Sequence, residues 1–156
     1  CKALGIPACN GGFWGTSFAD IRKLVATTGI AFNYENHPEK SVQAIRDAIE
    51  GGAGGVGVAV DTGWLGTQGV NAPAAIRELG PLVRHVHLKD VTHPGSHDTC
   101  PLGEGAVDIP GVMRALKEIG YTGWYSWEDE PEDRNPFDIA ADMRRYIESQ
   151  LAGTSS

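Results

Sequence analysis

The chain of 156 residues is long enough for one domain with its own core and short for two. Its 41% hydrophobic and 21% charged residues are ordinary for a globular protein, and a formal net charge of -7 argues against nucleic acid, whose phosphates need clustered Lys and Arg. No apolar run approaches the ~20 residues that span a bilayer, and no signal segment opens the chain. Three widely spaced cysteines (Cys1, Cys9, Cys100) without a C-x-x-C pattern fit a reducing cytoplasm.

The opening "CKALG" reads as the last turn of a helix closed by Gly5, which predicts that further sequence precedes it. A lipoprotein beginning at Cys1 fits less well, because no flexible polar tether follows. From Gly5 on, short apolar runs alternate with amphipathic helices. Strands are predicted at 5–9, 30–35, 56–61, 83–89 and 124–128. Ser17 caps a helix over 18–28 that Gly29 ends, and Pro38 opens another over 38–50, stopped by Gly51 and Gly52. A helix over 72–79 ends at Gly80, and one capped by Asp108 runs over 109–119 to Gly120. Asn135-Pro136 starts the last helix, 136–152, and leaves a disordered tail at 153–156. The "GGAGG" at 51–55 precedes a strand rather than opening a helix, so it is a tight turn and not a phosphate loop. Five strand–helix alternations in one domain over 1–152 predict an α/β fold of parallel β/α units with right-handed crossovers.

The two-residue period of a strand then sorts side chains by face. In "RHVHLKD", Val86 and Leu88 share one face while His85, His87 and Lys89 share the other. Asp61 ends "VGVAVD" on the face of Gly57 and Ala59, Glu35 ends "IAFNYE" on the face of Ala31 and Asn33, and Glu128 ends "WYSWE" on the face of Trp124 and Ser126. In a parallel barrel the apolar face packs under the helices, and polar groups at the strand C-termini converge at the mouth. Each carboxylate alone is more often a helix cap or a surface group than a ligand. Together, Glu35, Asp61, His87 and Glu128 form a set that repels itself unless a cation neutralises it. Three oxygens and one imidazole suit Mn²⁺ or Mg²⁺, with Co²⁺ and Zn²⁺ as competitors.

The motifs "YENHPE", "VAVDTGW", "HVHLKD", "PLGEGAVD" and "SWEDEPEDRNP" resemble the sugar phosphate isomerase/epimerase family, the xylose isomerase-like TIM barrels. The resemblance covers nearly the whole chain and implies strands four to eight of that barrel, an incomplete barrel of about five β/α units. It implies that strands one to three lie outside this sequence, or that two such chains associate to cover the open edges. Residue by residue, Glu35, Asp61, His87 and Glu128 match the family's metal ligands. The family chemistry is proton abstraction beside the carbonyl of a sugar or sugar phosphate through an ene-diolate, with Glu35 and Glu128 as the two acid/bases.

Two departures matter. Many relatives carry His three residues after the Asp ligand; here that position is Trp64, whose face can stack on a sugar. The three-zinc endonucleases of the family need Asp-x-His before "LGEG", where this chain has His97 and Thr99, which lowers a DNA-repair reading. Substrate-binding candidates are His37, Trp64, Lys89, Glu104 and Trp14. Lys89 binds a hydroxyl or phosphate, or else pairs with a neighbouring carboxylate; Glu104 orients a ligand, or else "GEG" is only a turn. His85 reads as a hydrogen-bonded core residue, His93 and His97 as solvated loop residues, and Arg134 as the partner of a nearby acid. An isomerase or epimerase leads; an inosose-type dehydratase on the same site and a non-catalytic metal- or sugar-binding half-barrel stay open.

Overall fold

The computed structural model describes residues 1–13, 15–52 and 54–153. In chain order the elements are β1 (Ala8–Gly11), α1 (Phe18–Thr28), β2 (Ala31–Glu35), α2 (Val42–Ile49), β3 (Val56–Asp61), α3 (Thr62–Thr67) and α4 (Ala72–Leu79). There follow β4 (Val83–Leu88), β5 (Asp90–Val91), β6 (Thr99–Cys100), α5 (Ile109–Glu118), β7 (Tyr125–Trp127) and α6 (Ala140–Gly153). Strands β1, β2, β3, β4 and β7 pair in that order, all parallel, while β5 and β6 form a separate antiparallel hairpin. Five parallel strands in chain order make a half-barrel, the incomplete TIM-type architecture expected from the alternation.

The core lies between the outer face of the sheet and the helices. Val58, Val60, Val86 and Leu88 are fully buried there against Ile45, Leu65, Ile76, Leu79, Ile109 and Leu116. Each such aliphatic side chain stabilises the fold by about 1.5–3 kcal/mol relative to exposure. The inner face carries Asn33, Gly57, Ala59, His85 and Ser126, so the strands read as apolar-out and small-or-polar-in. No helix of the described residues is long and apolar enough to cross a membrane.

Several boundaries differ from the sequence expectation, each for a local reason. The first strand begins at Ala8 rather than Gly5, and residues before it form a 3-10 turn, Lys2–Leu4, instead of an α-helical end. Pro38 does not open α2; Ser41 does, accepting a hydrogen bond from the Ala44 N–H at 3.2 Å. The "TGWLGT" segment, with two glycines, is helical because Asp61 caps it. The last helix is preceded by a 3-10 turn, Pro136–Ile139, and continues through Gly153, while residues 154–156 of the expected tail lie outside the described residues. Ser17, Asp108 and Asn135 do cap where expected.

Candidate functional site

The sheet register brings four strand ends together. Asp61 pairs with His87 across β3 and β4, Glu35 sits level with Ala59, two residues before Asp61, and His87 sits level with Ser126, two residues before Glu128. All four side chains therefore share the inner face, stepped around the mouth. Each offers one ligand atom, and those atoms all lie within 4.8 Å of one another. Metal–oxygen distances of about 2.1–2.5 Å make a coordination sphere roughly 4–5 Å across, which this span matches.

Two clamps fix the strand ends. The buried Asn36 amide bonds both backbone groups of Asp61, donating to its carbonyl at 3.1 Å and accepting from its N–H at 2.9 Å. Thr62 Oγ1 accepts from the Lys89 N–H at 2.9 Å and donates to the Lys89 carbonyl at 2.7 Å. The first ties β2 to β3 and the second ties β3 to β4, so Glu35, Asp61 and His87 are held by backbone as well as by pairing.

Within the cluster, His87 is paired by charge rather than by aligned hydrogen bonds. His87 Nδ1 lies 2.6 Å from Glu35 Oε1 and 2.8 Å from Glu128 Oε2, yet neither approach is aligned as a hydrogen bond. Asp61 is fully buried; its Oδ1 accepts the Trp64 N–H at 2.9 Å, whereas Oδ2 has no hydrogen-bond partner. One carboxylate thus serves as helix cap with one oxygen and faces the site with the other. A buried Asp61 oxygen without a hydrogen bond, set among two further carboxylates and an imidazole, is what a divalent cation would satisfy, so the donor set fits one.

The electrostatics follow from this crowding. Burial pushes the Asp61 carboxyl up to about 6, against the pull of Lys89. Burial works against a charged His87, but contact with Glu128 and Glu35 outweighs it and raises the imidazole to about 10. Contact with His87, and further help from Lys89, holds Glu128 down to about 2 despite burial. His85, one layer deeper, is lowered by burial and by neighbouring His87, and its Nε2 lies 2.9 Å from Ser126 Oγ, as a hydrogen-bonded core residue would.

Lys89 is buried, and its ammonium donates to Glu128 Oε1 at 2.8 Å and Glu130 Oε2 at 2.6 Å, with Asp61 Oδ2 at 3.9 Å. Its stem runs over Gly63, where an added Cβ would stand 2.5 Å from Lys89 Cγ. Of the two readings left open for Lys89, the structure shows the carboxylate pairing. His37 Nδ1 sits 3.2 Å from the Glu35 carbonyl, and its ring lies 5.2 Å from that of Trp64. Glu104 is exposed on a turn, and Trp14 lies outside the described residues.

The "GEG" turn has a physical explanation that the sequence did not reveal. Buried Asp90 accepts four backbone N–H groups, from Val91 and Val107 on Oδ1 and from Gly103 and Gly105 on Oδ2, at 2.9–3.1 Å. A Cβ at Gly105 would meet Asp90 Oδ1 at 2.4 Å, so the loop closes on the carboxylate only with glycine there. Arg134 pairs with buried Asp129 at 2.7 Å, as expected of it. Asn36, Thr62 and Asp90 were missed because nothing in a single sequence distinguishes a buried polar residue from a solvated one. The one available signal was adjacency, since each directly follows Glu35, Asp61 or Lys89.

Comparison with known proteins agrees with the geometry. The family model described as xylose isomerase-like TIM barrel matches residues 9–150. An inosose dehydratase of Klebsiella pneumoniae is 34% identical over 110 residues, taking in 56% of this chain and 36% of the relative. One of Geobacillus thermodenitrificans is 29% identical over 147 residues, taking in 80% and 49%. The chain thus spans about a third to a half of these curated relatives. Among solved structures, an L-ribulose 3-epimerase superposes with a TM-score of 0.81 at 19% identity, over 98% of this chain and 64% of its own. A xylose isomerase domain protein from Planctomyces limnophilus gives 0.76 at 22% identity, over 98% and 61%. The fold, the stepped strand-end cluster and the family match over residues 9–150 agree, and the chain belongs to the xylose isomerase-like TIM barrel family.

Proposed function

We propose that Glu35, Asp61, His87 and Glu128 hold a divalent cation, Mn²⁺ or Mg²⁺, and that the site removes a proton from carbon beside the carbonyl of a polyhydroxy substrate, as an isomerase or epimerase. The observation that carries this reading is the convergence of four ligand atoms within 4.8 Å, together with a buried Asp61 oxygen that has no hydrogen bond. A bound cation would polarise the carbonyl and an adjacent hydroxyl, acidifying the C–H between them. Glu35 and Glu128 approach His87 from different strands, so two carboxylates face the space where the substrate would lie. One takes the proton, and the other, once protonated from solvent, can deliver a proton to the opposite face, which is epimerisation; delivery to the neighbouring carbon, with the hydroxyl proton there passing to the former carbonyl oxygen, is aldose–ketose isomerisation. Contact with His87, and then with the Lys89 ammonium, keeps Glu128 ionised, and Lys89 holds it in place beside the cluster. Of the substrate-binding candidates, Trp64 and His37 line the same mouth, while exposed Glu104 would act only on a group reaching the rim.

A second reading, β-elimination of water after the same proton abstraction, is favoured by the inosose dehydratase relatives. Incubation with Mn²⁺ in D₂O, with an open-chain ketose and with an inosose, separates the two by mass spectrometry. Deuterium gained at carbon without loss of water supports the isomerase or epimerase; loss of one water supports the dehydratase. Metal binding with neither outcome would leave a non-catalytic binding half-barrel and reject the proposal.

A further inference from the structure

Trp64 adjoins the carboxylate cluster through its backbone N–H, which donates to Asp61 Oδ1. Its partly exposed ring is bracketed by two imidazoles. The His37 ring lies 5.2 Å away, tilted by 54°, and the His97 ring stands edge-on at 5.2 Å and 74°. A tryptophan that only filled the core would be enclosed by aliphatic side chains, as Leu65 beside it is.

The sequence predicts His97 to be a solvated loop residue. It is exposed, but the β5–β6 loop that carries it is pinned. Thr67 Oγ1 on α3 donates to the Ser96 carbonyl at 2.7 Å, and Thr92 N–H donates to the Asp98 carbonyl at 3.0 Å. The buried Ser96 hydroxyl accepts the Asp98 N–H at 2.9 Å and lies 3.0 Å from Thr92 Oγ1. The residues on both sides of His97 are therefore fixed, while its ring stands free at the rim beside Trp64. His37 is held too, its N–H donating to Glu39 Oε2 at 2.8 Å.

We propose that Trp64, between His37 and His97, receives the C–H face of a polyhydroxy ketone, and that His97 is a specificity-determining residue hydrogen-bonding a substrate hydroxyl away from the reacting carbon. The inference rests on the carbonyl chemistry proposed above. An indole face accepts the apolar side of a sugar. An imidazole presents a donor and an acceptor, and a site built to bond a hydroxyl discriminates against analogues lacking it. Glu128 and Glu130 together more than neutralise Lys89, so this rim suits neutral hydroxyls better than a phosphate.

The test is tryptophan fluorescence of the full chain with Mg²⁺, titrated with an inosose and separately with an open-chain ketohexose. A saturable change that Trp64→Phe abolishes is expected with at least one of them. His97→Ala should weaken that ketone's binding about tenfold, the effect of one lost hydrogen bond, with Mg²⁺ affinity unchanged within about twofold. His97→Gln, which keeps a donor and an acceptor, should restore binding to within about threefold, and His97→Phe, which keeps only a ring, should not. Parent-like binding by His97→Ala or His97→Phe overturns the inference, as does the absence of any saturable change with both ketones. Ketone bound through Trp64 and His97 without proton exchange at carbon supports the rim and rejects the proposed reaction. Exchange by the parent that His97→Ala leaves untouched, in rate and in KM, does the reverse.

Discussion

Asp61 and Asp90 are both fully buried aspartates beside strand ends, and their surroundings are opposite. Asp90 is satisfied: four backbone N–H groups close on its two oxygens, and its task is to hold the loop of Gly103 and Gly105. Asp61 is half satisfied, with one oxygen capping α3 and the other without a hydrogen bond, Lys89 Nζ standing 3.9 Å from it. Burial alone therefore does not mark a functional carboxylate. What sets Asp61 apart is an oxygen without a hydrogen bond beside two further carboxylates, compensated only by ion pairing with Lys89 and by the neighbouring imidazole.

That contrast can be broken in several ways. The largest effect is expected at the cluster: Glu35→Gln or Glu128→Gln should lower turnover by about 10³, while unfolding free energy changes by less than about 2 kcal/mol. A variant of either that keeps parent turnover would remove that residue from the acid/base role. At the satisfied site the balance is reversed. Asp90→Asn turns an NH₂ group toward N–H donors and should destabilise the fold by about 3 kcal/mol in denaturant unfolding, leaving the metal affinity of the folded protein near that of the parent.

Metal affinity should also depend on pH in a specific way. With His87 raised to about 10 and Asp61 to about 6, binding displaces one proton between those values and two below 6. Affinity should thus fall about tenfold per unit as pH drops from 10 toward 6 and about a hundredfold per unit below 6, measured by competition with a chelator of known affinity. A flat profile would show that these groups do not bind the ion.

The smallest effect carries the sharpest sign. Asp61 has a folded value of about 6 against an ordinary 3.8, so in metal-free protein its stabilising contribution is present below about 4 and lost as pH rises through 6. Asp61→Asn keeps an acceptor for the Trp64 N–H and removes the charge. It should leave stability unchanged near pH 4 and raise it by about 1–2 kcal/mol at pH 7 without metal. The same substitution thus stabilises at Asp61 and destabilises at Asp90.

Much of this was legible in the sequence because strands and helices write their periods into it. Val56, Val58 and Val60 against Gly57, Ala59 and Asp61 announce one face to the helices and one to the barrel interior. The phase of Glu35, Asp61, His87 and Glu128 needed nothing more. What was hidden depended on contacts distant in sequence. Asp90 meets Gly103 and Gly105 across the β5–β6 hairpin, whose two-residue strands carry no periodic signal. Thr62 looks like any residue after a strand, although it bonds the backbone of Lys89. His97 looks like a loop residue because pinning by Thr67 and Ser96 is a tertiary fact.

The most direct test is calorimetric titration of Mn²⁺ into the metal-free chain at pH 7, repeated in buffers of different ionisation enthalpy. One Mn²⁺ per chain with release of about one proton is expected, given the raised His87, and Asp61→Asn and His87→Ala should each weaken binding by at least about a hundredfold. No binding by the parent, or binding that both variants retain, would contradict the assignment of Glu35, Asp61, His87 and Glu128 as a metal centre.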